Sequence, residues 1–142
     1  MTARSQILDM DLSPLTKINF QDAWLELGPL SAEEIRHVFE TCDALWLHSG
    51  DMSRPHVELT SGKCSNGFVD VLRVLRYTNL CHLMADQLSH VLMRDYKGRI
   101  DWVVGSDHAA ATLSYEVARC FLAQHDFTEK GPEKAQEWRR FK

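Results

Sequence analysis

Residues 100–130 read IDWVVGSDHAAATLSYEVARCFLAQHDFTEK, and this stretch decides the fold. Ile100-Asp101-Trp102-Val103-Val104 is a β-branched and aromatic run of the kind that forms strands. Gly105-Ser106-Asp107-His108 follows as a tight polar loop. From Ala109 to Ala123 the pattern turns helical, with Leu113, Val117 and Phe121 one turn apart. His125–Lys130 then reads as a second strand. Strand, tight loop, helix and strand in this order make a βαβ unit, which predicts an α/β fold with a parallel sheet. The helix is short and rich in alanine, as suits close packing on such a sheet. Gly131-Pro132 ends the second strand, and Gln136–Phe141 reads as a further extended segment.

Toward the N-terminus, a helix is expected from Thr78 or Asn79, with Leu80, Leu83, Met84, Leu88, Val91 and Leu92 on one face. Gly98 ends it, and Lys97 and Arg99 lie near the negative end of its dipole. Before it, residues 53–71 read SRPHVELTSGKCSNGFVDV. Val57 and Leu59 alternate with polar residues, Ser61-Gly62 and Asn66-Gly67 signal turns, and Phe68, Val69 and Val71 resume an extended pattern. This predicts two short strands with a polar connection able to hug a ligand. An earlier helix opens at Ser31, where Ser31 and Glu34 have capping-box spacing. Its apolar stripe runs through Ile35, Val38, Phe39, Cys42 and Leu45, and it is expected to fade near His48-Ser49-Gly50. Residues 1–30, interrupted by Pro14 and Pro29, read as an arm or loosely packed extension with a short helix near Phe20–Leu27. Residues 31–142 form the domain proper.

Composition bounds the function. With 142 residues, 44% hydrophobic and 25% charged, the chain is an ordinary globular domain. Sixteen basic against 20 acidic residues give a net charge of −4, which speaks against nucleic acid as a partner. No segment reaches the roughly 20 apolar residues of a membrane span. Asp9 and Asp11 interrupt the N-terminal stretch, so no signal peptide is read there. Cys42, Cys64, Cys81 and Cys120 lack a CxxC pairing and are expected as reduced thiols in the cytoplasm. Adjacent Cys81 and His82 point in different directions on a helix, which leaves a zinc site little support. No metal ligands are assigned.

The Gly105–His108 loop is the best pointer to a site, because ligands in open α/β sheets sit beyond the carboxyl ends of strands. Amides of Asp107, His108 and Ala109 at a helix N-terminus can hold an anion. Asp107 can equally cap the helix and compete for those amides. Asp107 and His108 suggest an acid–base dyad, but adjacency in sequence does not bring them into contact. The absence of GxSxG, HExxH and Walker A sequences removes most support for hydrolase and nucleotide-kinase readings. The last stretch carries Lys130, Lys134, Arg139, Arg140 and Lys142, which can face phosphates or lie on a solvated strand pair.

Taken in order, these pieces resemble the orotate phosphoribosyltransferase family from about Val38 to Phe141. Residues 58–69 look like its L-x-S-G-R/K-x-S-x-x-F/Y hairpin and residues 100–105 like its D-x-V-V-G strand. Residues 113–119 resemble the Y-E-V-A-R helix, and Phe127–Lys130 through Trp138–Phe141 resemble F-x-E-R/K followed by R-R-G-F. The resemblance implies a type I phosphoribosyltransferase-like α/β fold: a partial parallel sheet with flanking helices, plus an N-terminal helix and a β-hairpin hood. It implies transfer of phosphoribosyl from phosphoribosyl pyrophosphate to orotate or a related base, with Mg2+, in a homodimer of pyrimidine nucleotide biosynthesis. Carried over, Thr60 and Phe68 lie near the base, and Ser106, Asp107 and His108 form the pyrophosphate loop. Lys130 contacts phosphates, and Lys134 is the catalytic lysine of a mobile loop.

Two departures qualify these expectations. Asp107 puts negative charge where pyrophosphate should rest. The family's acidic pair followed by T-T-G or T-A-G lies downstream of R-R-G-F, and the sequence ends at Lys142 before it. An incomplete chain, inactive by itself and with an unpaired sheet edge, is therefore expected. The alternative is a non-catalytic binding or regulatory relative that acts as a dimer.

Overall fold

The computed structural model describes residues 7–17, 28–59, 61–106, 109–131 and 136–138. A short helical turn, α1 (Leu12–Leu15), precedes helix α2 (Ala32–Thr41). Strands β1 (Leu45–Leu47), β2 (Val57–Glu58), β3 (Cys64–Ser65) and β4 (Gly67–Val69) follow. Then come the turn α3 (Leu72–Leu75), the long helix α4 (Thr78–Asp95) and strand β5 (Trp102–Gly105). Helix α5 (Ala109–Phe121), strand β6 (Gln124–Lys130) and strand β7 (Gln136–Trp138) close the described chain.

The βαβ reading holds. β5 and β6 pair in parallel, from Trp102 opposite Gln124 to Gly105 opposite Phe127, with α5 as the crossover. β7 joins the far edge of β6 antiparallel, Thr128 opposite Trp138. The part of the expected last segment beyond residue 138 lies outside the described residues, as does Phe20–Leu27.

The capping box at Ser31 is present in full. The Glu34 amide donates to Ser31 Oγ at 3.2 Å, and Glu34 Oε2 accepts from the Ser31 amide at 2.6 Å. The helix that it opens ends earlier than expected, however. Asp43 takes a left-handed conformation (φ 52°), the Asp43 amide bonds to the Glu40 carbonyl and the Ala44 amide to that of Phe39. This is a Schellman closure with aspartate in the position glycine usually fills. Leu45 leaves the helical stripe for β1, which pairs antiparallel with β4, Trp46 opposite Phe68.

The hairpin expectation is corrected in the same region. β2 pairs with β3, whereas Phe68 and Val69 pair with β1, so the stretch forms parts of two separate two-stranded sheets. Val71 is not extended but caps α3, a helical turn too short to show a period in sequence.

The first 30 residues are not loosely packed where they are described. Ile7, Leu15 and Leu30 are buried in one cluster with Val38, Val74, Leu80 and Leu83. Asn79 Nδ2 donates to the Leu15 carbonyl at 3.0 Å. Gln87, itself buried, accepts from the Leu30 amide at 2.6 Å and donates to the Gly28 carbonyl at 3.3 Å. Isolated apolar residues in this stretch are thus held by polar side chains of α4. On α4 itself Leu80 and Leu83 are buried as expected, but Leu88 and Val91 are exposed. Among the described residues, no helix is long and apolar enough to cross a membrane.

Candidate site at the end of strand β5

β5 ends at Gly105 because α5 begins almost on top of it. A Cβ at Gly105 would overlap Ser114 Oγ and stand 2.6 Å from the Ala110 carbonyl oxygen. Only glycine lets the first turn of α5 come this close. Across the sheet, Thr128 Oγ1 donates to the Gly105 carbonyl at 3.4 Å. Ser114, largely buried on α5, donates to the Ala111 carbonyl at 3.0 Å and meets His125 Nε2 of β6 at 2.9 Å. Tyr115 packs edge-on against the His125 ring, centroids 5.6 Å apart.

α5 is fixed against α4 by a second polar group. His82 Nδ1 lies 2.8 Å from Glu116 Oε2, and Arg119 Nη1 lies 3.2 Å from both Glu116 oxygens. Nearby, burial pushes the Asp86 carboxyl up, against the opposing pull of His90, His82 and the Gln87 amide. Burial, aided by the charge of Glu116, pushes the Cys81 thiol up to about 11. All four cysteines are free, Cys42 and Cys81 buried, Cys64 and Cys120 exposed.

Ser106, the first residue beyond β5, opens onto a cavity of about 300 Å³. Its other walls are apolar: Phe39 of α2, Val71 and Leu75 around α3, Met84 of α4, and Ala110 and Leu113 of α5. The cavity therefore lies where the N-terminal helices meet the βαβ unit. Phe39 and Met84 read in sequence as core stripe, and nothing in their spacing separates a cavity wall from a filled core.

The expected site residues divide into three groups. Ser106 and Lys130 come to the same end of the parallel pair. Gly105 is level with Phe127, so Lys130 stands two residues past the level of Ser106, about 7 Å at ordinary strand rise. Phe68 is described but lies on β4, half exposed, and does not line the cavity. Thr60, Asp107, His108 and Lys134 lie outside the described residues. The Ser114–His125 pair was not singled out in sequence. Its only signal is a serine one position from the apolar face of a helix.

No protein-family profile matches the chain. It is 36% identical over 76 residues to the orotate phosphoribosyltransferase of Caldicellulosiruptor bescii, a match covering 53% of this chain and 38% of that protein. The orotate phosphoribosyltransferase of Bartonella bacilliformis is 27% identical over 90 residues, 63% of this chain and 43% of that protein. The structure of Leishmania donovani UMP synthase superposes with a TM-score of 0.57 at 19% identity, over 79% of this chain and 23% of that one. The matches thus span about two fifths of the length of these curated relatives. Ordered motifs, curated relatives and architecture agree: the chain has a type I phosphoribosyltransferase-like α/β fold and, over about half of its length, is similar to orotate phosphoribosyltransferases.

Proposed function

We propose that the chain binds phosphoribosyl pyrophosphate and serves phosphoribosyl transfer to orotate or a related base in pyrimidine nucleotide synthesis. The carrying observation is topological: β5 and β6 run parallel, with Ser106 just past the end of β5 and Lys130 the last residue of β6, at the same end of the pair. An anion placed there meets a helix N-terminus and a cationic side chain together. In this reading Ser106, Asp107 and His108 hold the pyrophosphate and Lys130 its phosphates. Lys134 closes over the leaving group, and Thr60 and Phe68 meet the base. The bond from the ribose anomeric carbon to pyrophosphate breaks, its electron pair leaves with pyrophosphate, and a base nitrogen bonds to that carbon as its own proton passes to solvent. Cationic side chains offset the charge that develops on the leaving oxygens, and closure keeps water from the reacting carbon.

Magnesium belongs to the same reading. Among the described residues, no group of three or more His, Cys, Asp or Glu side chains is placed to hold a metal ion. The ion would arrive on the pyrophosphate oxygens, as magnesium commonly does, and would neutralise charge there.

A second reading, a non-catalytic dimeric binding or regulatory relative, draws on a different feature. Trp46, Leu47, Phe68, Val69 and Leu72 are all exposed on and just after the β1–β4 pair. Exposed apolar groups of this kind favour a subunit contact, which a catalytic homodimer in the cytoplasm would use equally. Calorimetric titration with phosphoribosyl pyrophosphate, with and without Mg2+, and an orotate-consumption assay separate the readings. Saturable Mg2+-dependent binding with orotate turnover is expected. Binding without turnover moves the chain to the second reading, and no binding at millimolar ligand removes both substrate assignments.

A further inference from the structure

We infer that Ser114 and His125 form a positioning pair that sets the spacing between Gly105 and the first turns of α5, and so the anion affinity of the site proposed above, on which this inference rests. Ser114 has one hydroxyl hydrogen, and the Ala111 carbonyl at 3.0 Å takes it. His125 Nε2 lies 2.9 Å from the same oxygen, and with the hydroxyl hydrogen on the Ala111 carbonyl it is the Nε2-protonated tautomer that completes the pair. The same oxygen occupies the space that a Cβ on Gly105 would fill. One atom thus touches the last residue of β5, the first turns of α5 and the second residue of β6. The edge-on ring of Tyr115 backs the imidazole. Thr128 holds the carbonyl of Gly105 from the β6 side. Gly105 is clasped between two side-chain contacts, and Ser106 leaves it toward the cavity.

This pair is not a nucleophile and its base. Ser114 is only 7% exposed, and a main-chain carbonyl stands within hydrogen-bond reach of its hydroxyl. Its energy goes into holding three backbone segments at one spacing.

The test compares His125→Leu, His125→Gln and Ser114→Ala in the full chain. The glutamine amide nitrogen can reach the place of Nε2 and donate as histidine does, whereas leucine fills the space without donating. Inorganic pyrophosphate with Mg2+ is the binding probe. Amide exchange at Gly105, and at Leu113, whose N–H closes the first turn of α5, is the local readout. Affinity in His125→Leu and Ser114→Ala is expected to fall about fivefold, the equivalent of one ordinary hydrogen bond. Exchange at both amides should quicken by a similar factor while amides in the middle of α4 stay unchanged, and His125→Gln should recover most of both effects. Should His125→Leu fail to fold, Ser114→Ala and His125→Gln decide the matter. Unchanged exchange in Ser114→Ala, or a glutamine variant no better than leucine, overturns the inference. If the wild-type chain takes up no pyrophosphate, the proposed function fails, and the exchange result still judges the positioning pair.

Discussion

Gly105 and Gly67 end and begin strands in two halves of the molecule, and their surroundings differ. At Gly105 an added methyl group would run into Ser114 and into the backbone of Ala110. At Gly67 it would stand 3.2 Å from Leu47 Cδ2, the far end of a flexible side chain, and 3.6 Å from the Trp46 carbonyl. The βαβ half is built to a backbone tolerance, while the β1–β4 half is built from side chains with room to give. Two-stranded sheets with apolar residues facing outward are marginal on their own. The contrast suggests that the first half holds the site's geometry and the second supplies a surface for contact.

The largest expected effect breaks or keeps this contrast directly. Gly105→Ala should destabilise by at least about 3 kcal/mol, because backbone must move to make room, while Gly67→Ala should cost less than about 1 kcal/mol. Urea unfolding of the two variants measures both, and equal midpoints would erase the distinction.

A smaller effect sharpens it. Asp43 and Leu122 are the two non-glycine residues with positive φ among those described, both at 52°. Both close Schellman turns, the second through the Leu122 amide to the Arg119 carbonyl and the Ala123 amide to that of Ala118. Leu122 is 96% exposed and gains nothing from its side chain. Leu122→Gly should therefore stabilise by about 1 kcal/mol through relief of the left-handed strain. Arg73, in contrast, holds both the carboxylate and the carbonyl of Asp43. Asp43→Gly should leave stability within about 0.5 kcal/mol, lost contact offsetting relieved strain. Thermal melts of both variants check the pair.

The smallest effect leaves stability untouched and reads accessibility. Cys64 of the hairpin and Cys120 of α5 should alkylate in the native state, while Cys42 and Cys81 should not. Because burial and Glu116 push the Cys81 thiol up to about 11, raising the pH from 7 to 9 should leave it unlabelled. Peptide mass mapping after brief alkylation checks this, and labelling of Cys81 at pH 9 would show that the α4–α5 contact opens.

What was legible in the sequence follows the same division. The βαβ unit announces itself because local pattern and local contacts coincide: a β-branched run, a glycine, a helical stripe and a second strand lie within about thirty residues. Ser31 and Glu34 likewise need only their own helix turn. The β1–β4 pair was hidden because the helix stop is an aspartate in a conformation sequence rules assign to glycine, and because Leu45 continues the helical spacing by coincidence. Ile7 and Leu15 are not legible as core because their cluster is assembled from later elements, from Leu30 and Val38 to Val74, Leu80 and Leu83, and because Asp9, Asp11 and Pro14 break any local period around them. For the site, Ser106 and Lys130 were placed by topology alone. The Ser114–His125 contact depends on how α5 lies across β6, which no spacing within either element reveals.

The clamp of α4 on the first residues has a consequence in time. The carbonyl of Leu15 waits for Asn79, 64 positions later in synthesis. At 5–20 residues per second the ribosome needs about 3 to 13 seconds to deliver that partner. During this interval Ile7 and Leu15 can meet Leu30, Val38, Cys42 and Ala44 but lack Leu80 and Leu83, the part of their cluster that α4 supplies. Nascent chains stalled before the codon for Asn79 and far enough beyond it for α4 to clear the ribosome should differ in how fast a protease cuts between Ile7 and Leu15.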